Sequence, residues 1–170
     1  AIVSRKRPCQ NACKVKAIYM DDDKSAKIDD DKCIQCGACV YQCPFGAILD
    51  KSYILDVVEI LKNKNIGHKV YAVVAPSISS QFSYAKLGQV ITGLKKMGFH
   101  DVEETAIGAT IVKNEYERML NEDARDVVIS SCCHSVNLLI QKHFPSCLQY
   151  LADVMSPMQA HCLDIKKRYP

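Results

Sequence analysis

The chain has 170 residues, 48% of them hydrophobic, and a formal net charge of +3 at pH 7. This is enough for one or two domains with a packed core, and it indicates no nucleic-acid partner. Ten cysteines could form disulfides, but they cluster in ligand-like spacings, which favours metal binding in a reducing, cytoplasmic compartment. With no secretory segment before the cysteines and no apolar run long enough to span a bilayer, we expect no membrane partner.

The first fifty residues contain a two-fold repeat of a cysteine group, a short apolar segment and an acidic turn. Cys9 and Cys13 precede the apolar residues 17–19, and a second cysteine group precedes the apolar residues 47–49. The aspartate runs at 21–23 and 29–31 are typical of hairpin turns, because they lack the glycine and terminal glutamate of a calcium-binding loop.

The second cysteine group has the spacing C-x2-C-x2-C-x3-C-P, with its thiols at Cys33, Cys36, Cys39 and Cys43. This spacing is typical of the bacterial-type motif that binds a cubane 4Fe–4S cluster. Three thiolates in a tight loop can occupy three corners of one cube, while the fourth points to a second cluster. The alternative is a structural zinc site, although such sites usually take two separated cysteine pairs.

Because the fourth cysteine of each group crosses over, the ligands can be assigned to two clusters. One complete site consists of four cysteines: Cys13, Cys33, Cys36 and Cys39. Cys9 and Cys43 supply only two ligands of the second. Either upstream residues are missing or that cluster is not held. Since the chain begins at Ala1 and ends at Pro170 in what reads as mid-domain, we expect a fragment of a longer protein.

After the cysteine-rich region, residues 52–65 have the apolar spacing of a helix, with Ser52 as its N-cap and Gly67 as its stop. Short hydrophobic strands then alternate with helices. Strands are predicted at 70–74, 102–105 and 127–130, and helices at 84–97, 107–120, 136–143 and 155–168.

The alternation of strands and helices indicates a mostly parallel sheet flanked by helices. We therefore predict an α+β ferredoxin-like iron–sulfur module at 1–50, a connecting helix at 51–68, and an α/β domain at 69–170 that is incomplete at its C-terminus. In such sheets, sites form at the carboxyl ends of strands. Residues 75–77 and the pair Cys132–Cys133 both follow predicted strands.

Taken together, these segments resemble the iron-only (FeFe) hydrogenases, as a two-cluster ferredoxin module followed by the first part of the H-cluster domain. The resemblance depends on the order of four motifs: VVAPSI at 73–78, GLKKMGF at 93–99, ISSCC at 129–133 and MSPM at 155–158. It implies that residues 69–170 are the N-terminal part of the H-cluster domain.

In that family the second cysteine of the S-C-C motif binds the cubane of the H-cluster, and the first is the proton donor and acceptor beside the diiron site. The resemblance therefore implies a metal ligand at Cys133 and a catalytic thiol at Cys132. Residues of two further motifs are implied to contact the diiron site: Ala75, Pro76, Ser77, Ser156, Pro157 and Met158. The alternative for the two thiols is a pair of buried, inert core cysteines.

This chain departs from the catalytic members of the family in three ways. His134 follows the paired cysteines where those members have proline, as in the group proposed to sense hydrogen. By position, only Glu115 remains of the glutamate proton relay, and Ala152 replaces the relay serine. The remaining H-cluster cysteines of the family would lie beyond Pro170, so we expect this fragment alone to be inactive.

The predicted function is that of an FeFe-hydrogenase-type oxidoreductase, which passes electrons through 4Fe–4S clusters to an H-cluster that interconverts H2 with protons and electrons. A hydrogen-sensing role is part of this prediction. Its partners would be an electron donor or acceptor, such as ferredoxin or a redox enzyme, and a signalling domain. One alternative is a non-enzymatic electron carrier or assembly factor, and another is a ferredoxin module fused to an unrelated α/β domain.

Structural roles are also expected for three residues outside these motifs. We expect Cys147 and Cys162 to be core thiols, because they have no ligand spacing. We assign His143 to the surface or to packing, since a lone histidine has no partner pattern.

Overall fold

The computed structural model describes residues 7–63, 67–122 and 126–170. The chain divides into two compact units. Unit 1 consists of Ala1–Lys51 and Val128–Ala152, and unit 2 consists of Ser52–Val127 and Asp153–Pro170. These units are defined by contacts, and the domain boundaries at 50 and 68 remain predictions from the sequence.

The N-terminal part of unit 1 is a small helix-and-hairpin module. Its elements are α1 (Pro8–Ala12), β1 (Ile18–Met20), β2 (Ala26–Ile28) and α2 (Ala38–Gln42). The two strands are antiparallel, with Ile18 opposite Ile28. The turn between them is closed by a hydrogen bond from the Lys24 N–H to the Asp21 carbonyl (2.8 Å). The hairpin turn predicted at 21–23 is therefore confirmed, whereas the run at 29–31 lies between β2 and α2 and, within the described residues, joins no pair of strands.

The two-fold repeat of the sequence is also confirmed in the backbone. Cys13 is the C-cap residue of α1 and Cys43 is the C-cap residue of α2, and both have an extended backbone. Three residues after each cap the chain adopts a positive φ, 54° at Lys16 and 59° at Gly46. Both of these residues donate their N–H to the carbonyl of the capping cysteine, at 3.2 and 3.3 Å.

The second segment of unit 1 is a loop whose two ends are joined. Ile129 and Leu151 form an isolated parallel bridge. Between them lie α7 (His134–His143) and a 3-10 helix (Pro145–Tyr150). Because parallel segments need a crossover connection, α7 serves as the crossover of a minimal strand–helix–strand unit.

The prediction that residues 127–130 form a strand of the main sheet is therefore wrong. Ile129 forms an isolated bridge, and its partner Leu151 belongs to the same loop. Val127 is 52% exposed, so this apolar run is not covered on both faces as a central parallel strand would be.

Unit 2 contains the remaining elements: α3 (Ile54–Lys62), β3 (Tyr71–Val74), α4 (Ile78–Gln81), α5 (Leu87–Met97), β4 (Asp101–Glu104), α6 (Ala106–Glu122) and α8 (Pro157–Arg168). Strands β3 and β4 are parallel, with Tyr71 opposite Asp101 and Val74 opposite Glu104. The fold class is thus mixed α/β with small sheets. Within the described residues, the predicted parallel sheet is confirmed only for this pair of strands.

Most predicted helices of unit 2 are present with shifted ends. The helix predicted at 52–65 is α3, which starts at Ile54, and the predicted end at Asn65 lies outside the described residues. Helix α5 starts at Leu87, later than predicted, and ends at Gly98, where a φ of 116° reverses the chain.

The core of unit 2 is built where α6 packs against α8. Gly108 on α6 permits this close approach, because a Cβ there would lie 2.0 Å from the carbonyl oxygen of Pro157. The buried apolar residues of the unit are Val74, Val102, Val112, Met119, Ala160 and Ile165. Among the described residues, no helix has the length and apolar character needed to cross a membrane.

Candidate iron–sulfur and thiol sites

The loop from Cys33 to Cys39 wraps its backbone around its own sulfur atoms. Gln35 and Gly37 adopt positive φ values of 55° and 73°, and Gly37 is the N-cap of α2. The Gln35 N–H lies 3.4 Å from the Cys33 sulfur. Backbone N–H groups directed at thiolate sulfurs stabilise their negative charge, and hydrogen bonds of this type tune iron–sulfur clusters.

The fourth cysteines of the two groups are held in the same way. The Ala17 N–H donates to the Cys13 sulfur (3.2 Å), and the Ala47 N–H donates to the Cys43 sulfur (3.3 Å). The pKa of the Cys43 thiol is lowered, first by the N–H of Phe45 and then by that of Ala47. The backbone thus favours the thiolate, which is the form that binds iron.

Cys39 shows why these thiols need a cation. Its pKa is raised, first by burial and further by the neighbouring Cys33 and Cys36 thiols. Several thiolates in one small loop repel one another and are costly to ionise unless positive charge offsets them. An iron–sulfur cluster provides that charge, so the residues fit the predicted cofactor.

Among the described residues, no group of three or more His, Cys, Asp or Glu side chains is arranged around a single metal ion. A cubane does not require such a group, because its four thiolates bind four different irons. All ten cysteines are described, and none of them forms a disulfide.

The packing of α1 against α2 brings the first cysteine group to the second. Cys9 is buried on α1, and Cys13 is half-buried at its end. The module is open to solvent at two other residues, because Cys36 is exposed and the Phe45 side chain is 90% exposed.

The paired cysteines lie at the start of α7, shortly after the bridged residue Ile129. Both are exposed, so the alternative that they are buried core thiols is wrong. Cys133 is the N-cap of α7 and has an extended backbone (φ −101°, ψ 116°). The Asn137 amide donates to the Ser131 carbonyl (2.9 Å) and fixes the approach to the pair.

The other end of α7 is anchored on the turn that leads into Cys33. Lys142 Nζ donates to the carbonyl oxygens of Asp30 (2.6 Å) and Cys33 (2.8 Å). His143 Nε2 lies 2.8 Å from the Lys32 carbonyl, and because a carbonyl only accepts, this nitrogen carries the proton. Helix α7 thus connects the paired cysteines to the cluster-binding loop within unit 1.

Sequence reasoning misses this anchor. The contacts join residues more than a hundred positions apart, and neither residue belongs to a motif. The sequence assigns His143 only to the surface or to packing. In the structure its ring is hydrogen-bonded to the Lys32 carbonyl, in the turn that leads into Cys33.

The two motifs implied to contact the diiron site are turns in unit 2. Residues 75–77 follow β3, where the Ile78 N–H donates to the Ala75 carbonyl (3.0 Å) and Ser77 is the N-cap of α4. The Ala75, Pro76 and Ser77 side chains are exposed.

The second of these turns starts α8. The Ser156 hydroxyl accepts a hydrogen bond from the Gln159 N–H (3.3 Å) as the N-cap. Pro157 is the first helical residue, and Met158 is 61% exposed. The serine and proline of this motif therefore have a structural role in starting α8.

A polar cluster in unit 2 surrounds a buried histidine. The His161 side chain is fully buried, and its Nε2 lies 3.0 Å from Oε2 of Glu103. Arg168 donates to the same oxygen at 2.5 Å and to Asp164 at 2.8 Å. The pKa of Glu103 is lowered, first by Arg168 and also by His161.

Two other residues named from the sequence, Glu115 and Cys162, lie on α6 and α8. The carboxylate of Glu115 is bonded by Arg118 (2.6 Å), which lowers its pKa and keeps it charged. Cys162 is exposed on α8, so its assignment as a core thiol is wrong.

A groove of about 750 Å³ in unit 2 is not lined by any of the predicted site residues. Its walls come mainly from β3 and α8, with Tyr71, Cys162 and Ile165 among them. It therefore gives no support to any of the predicted sites.

Comparison with known proteins connects these features to a family. Residues 68–170 match the family described as iron only hydrogenase large subunit, C-terminal domain, and residues 26–49 match the 4Fe-4S binding domain. The chain is 28% identical over 146 residues to the NADP-reducing hydrogenase subunit HndD of Solidesulfovibrio fructosivorans, which is 76% of this chain and 25% of that protein.

Shorter matches cover the cysteine-rich region. The chain is 48% identical over 40 residues to the formate dehydrogenase iron-sulfur subunit of Wolinella succinogenes (24% of this chain, 20% of that protein). It is 47% identical over 38 residues to the polyferredoxin-like subunit of the aliphatic sulfonate oxidoreductase of Pyrococcus furiosus (22% of this chain, 22% of that protein). The chain thus spans a quarter or less of each of these relatives.

The hydrogenase match covers more than half of the chain, and the 4Fe-4S match falls on the loop whose backbone is turned toward its own sulfur atoms. An iron–sulfur electron-transfer protein with a hydrogenase-like domain accounts for both findings, and the chain belongs to the iron-only hydrogenase family.

Proposed function

We propose that the full-length protein is a cytoplasmic FeFe-hydrogenase-type oxidoreductase of the hydrogen-sensing kind. Four thiols of this chain would hold one 4Fe–4S cluster: Cys13, Cys33, Cys36 and Cys39. Cys9 and Cys43 would supply two ligands of a second cluster. Electrons would be exchanged with a ferredoxin or a redox enzyme, and the response would pass to a signalling domain.

The observation that carries this proposal is the position of the paired cysteines. They stand at the start of a crossover helix, and the other end of that helix is bonded to the cluster-binding loop through the Cys33 carbonyl. Both belong to the same compact unit. A thiol that binds iron for electron transfer needs such a fixed relation to the cluster that supplies electrons.

The extended backbone at Cys133 supports different roles for the Cys132 and Cys133 thiols. Adjacent side chains of an extended segment point in opposite directions. The Cys133 sulfur would bind one corner of the H-cluster cubane, and the Cys132 sulfur would hold and release a proton. When bound, the H-cluster supplies the interconversion of H2 with protons and electrons.

Two turns of unit 2 would contribute contacts to the diiron ligands. The first consists of Ala75, Pro76 and Ser77, and the second of Ser156, Pro157 and Met158. The first five are small or compact residues, which leave room for a cofactor, and all six would help to exclude water from it.

The sensing role is supported by the absence, at the expected relay positions, of side chains suited to rapid proton transfer. Glu115 is held ionised by Arg118, and Ala152 has no hydroxyl. A broken hydrogen-bonded chain slows proton movement through a protein interior. The same observation also favours a second candidate function, a non-enzymatic electron carrier or assembly factor that binds cubanes and no diiron site.

Infrared spectroscopy of the maturated full-length protein separates the two candidates. Bands from iron-bound CO and CN are expected for the proposed oxidoreductase. A protein with cubane signals and without these bands would be a carrier or assembly factor.

The role of Cys132 is tested by Cys132→Ala in the same full-length protein. Turnover of H2 should be nearly abolished while the iron content is unchanged, because the proton-carrying thiol is removed and no ligand is lost. Cys162→Ala, at another exposed thiol, is the matched control and should leave turnover unchanged. Normal turnover in Cys132→Ala would exclude this role.

A further inference from the structure

We propose that Lys142 raises the reduction potential of the 4Fe–4S cluster held by Cys13, Cys33, Cys36 and Cys39. This inference rests on the proposed ligation by these cysteines. It assigns a role to a residue outside every motif of the sequence.

The geometry at Lys142 holds its ammonium group in place. Nζ donates to two carbonyl oxygens of one short turn, at Asp30 (2.6 Å) and Cys33 (2.8 Å). His143, the next residue, bonds the Lys32 carbonyl of the same turn at 2.8 Å. Three hydrogen bonds from the end of one helix therefore fix the cation against the backbone of a cluster ligand.

The charge of Lys142 is not offset by the groups it contacts, because both acceptors are neutral carbonyls. Lys32, on the turn itself, is paired with Asp29 (2.7 Å). The carboxylates of Asp30 and Asp31 add further negative charge to this turn. Lys142 therefore adds positive charge beside a turn that carries three aspartates, Asp29, Asp30 and Asp31.

Reduction adds one electron, and hence one negative charge, to a cluster that is already anionic with its four thiolates. A fixed positive charge nearby stabilises the reduced form more than the oxidised form, since Coulomb attraction grows with the charge on the cluster. Lys142 should therefore make the cluster easier to reduce.

The test is an EPR-monitored redox titration of the full-length protein. The relevant signal is the one that disappears in Cys13→Ser. In Lys142→Met, the ratio of reduced to oxidised cluster at a fixed applied potential should fall by up to about tenfold, which for one electron corresponds to a shift of about 59 mV to more negative potential. The iron content should not change.

Two further variants distinguish charge from shape. Lys142→Arg keeps the charge and should restore a potential close to that of the wild type. Gln141→Met alters the neighbouring exposed residue of α7 without a change in charge, and its potential should equal that of the wild type.

Three outcomes would overturn the inference. An unchanged potential in Lys142→Met with an intact cluster would overturn the role of Lys142 and leave the proposed function standing. Loss of the cluster in this variant would overturn it too, because Lys142 would then be needed to build the site. Absence of the cluster from the wild-type protein would instead overturn the proposed function, and the role of Lys142 with it.

Discussion

At the scale of single residues, His161 is held by one carboxylate. The ring is fully buried, and its Nε2 bonds Glu103, while within the described part of the chain its Nδ1 has no hydrogen-bond partner. A buried polar group without a partner costs about 1–3 kcal/mol. Glu103 therefore stabilises unit 2 by providing the bond that His161 does have.

The substitution Glu103→Gln should reduce the free energy of unfolding by about 1.5–3 kcal/mol, the range for hydrogen bonds to charged groups. The amide keeps the size of the side chain and loses the charge that Arg168 and His161 share. Glu104→Gln, at the exposed next residue of β4, is the matched control and should have little effect. Urea denaturation at pH 7 measures both, and equal values for the two variants would contradict the assigned role.

The same carboxylate should make stability depend on pH. The pKa of Glu103 is lower in the folded protein than its ordinary value of 4.5, so the native state binds fewer protons in the interval between the two. The contribution is complete above 4.5 and is lost as the pH falls through the lowered value. The difference between wild type and Glu103→Gln should accordingly shrink as the pH falls from 4.5 to the lowered value, and a constant difference over that interval would argue against the lowered pKa.

At the scale of secondary-structure elements, the crossing of α6 and α8 depends on one missing side chain. A Cβ at Gly108 would lie 2.0 Å from the Pro157 carbonyl oxygen and 2.8 Å from the His161 Cβ. Neither backbone nor a buried ring has room to move by that amount in a packed core.

Gly108→Ala should therefore reduce the free energy of unfolding by about 1–3 kcal/mol through overpacking. Gly93→Ala on α5 is the matched control, since a Cβ there meets nothing within 4 Å. It should stabilise the protein by about 0.5–1 kcal/mol, because alanine favours the helix over glycine. Thermal unfolding should show a lower melting temperature for Gly108→Ala and a higher one for Gly93→Ala. If both variants were destabilised, the effect at Gly108 could not be assigned to its contact with α8.

The elements that could be predicted from the sequence are those with a local signal. Helix α6 and the strand pair β3–β4 follow from apolar periodicity, and the repeat around Cys13 and Cys43 follows from spacing. The strand predicted at 127–130 could not be assigned correctly, because its partner Leu151 is set by the length of the intervening loop and not by its own pattern.

At the scale of the whole molecule, the proposed cluster site takes its ligands from separate parts of the chain. Packing of α1 against α2 brings Cys13 to the loop that carries Cys33, Cys36 and Cys39. The spacing alone predicts the four thiols of this site. It does not predict the hydrogen bonds from Lys142. A lysine near the end of a helix has the same sequence pattern whether its ammonium group binds water or the carbonyl of a distant residue.

The crossover of ligands predicts different results for two neighbouring cysteines of the full-length protein. Cys13→Ser should remove the EPR signal of the cluster bound by the second group, because it takes away one of four ligands. Cys9→Ser should leave that signal intact, since Cys9 is assigned to the other cluster. Cys147→Ser is the control, and identical spectra for the first two variants would contradict the crossover.

The length of α7, between the paired cysteines and the turn that leads into Cys33, should restrict how this fold can evolve. With ten residues and a rise of about 1.5 Å per residue, α7 acts as a spacer of set length. Insertion of a single residue would rotate Lys142 by about 100° around the helix axis, away from the Cys33 carbonyl. Relatives with this anchor should therefore tolerate many side-chain replacements along α7 but few changes in its residue count.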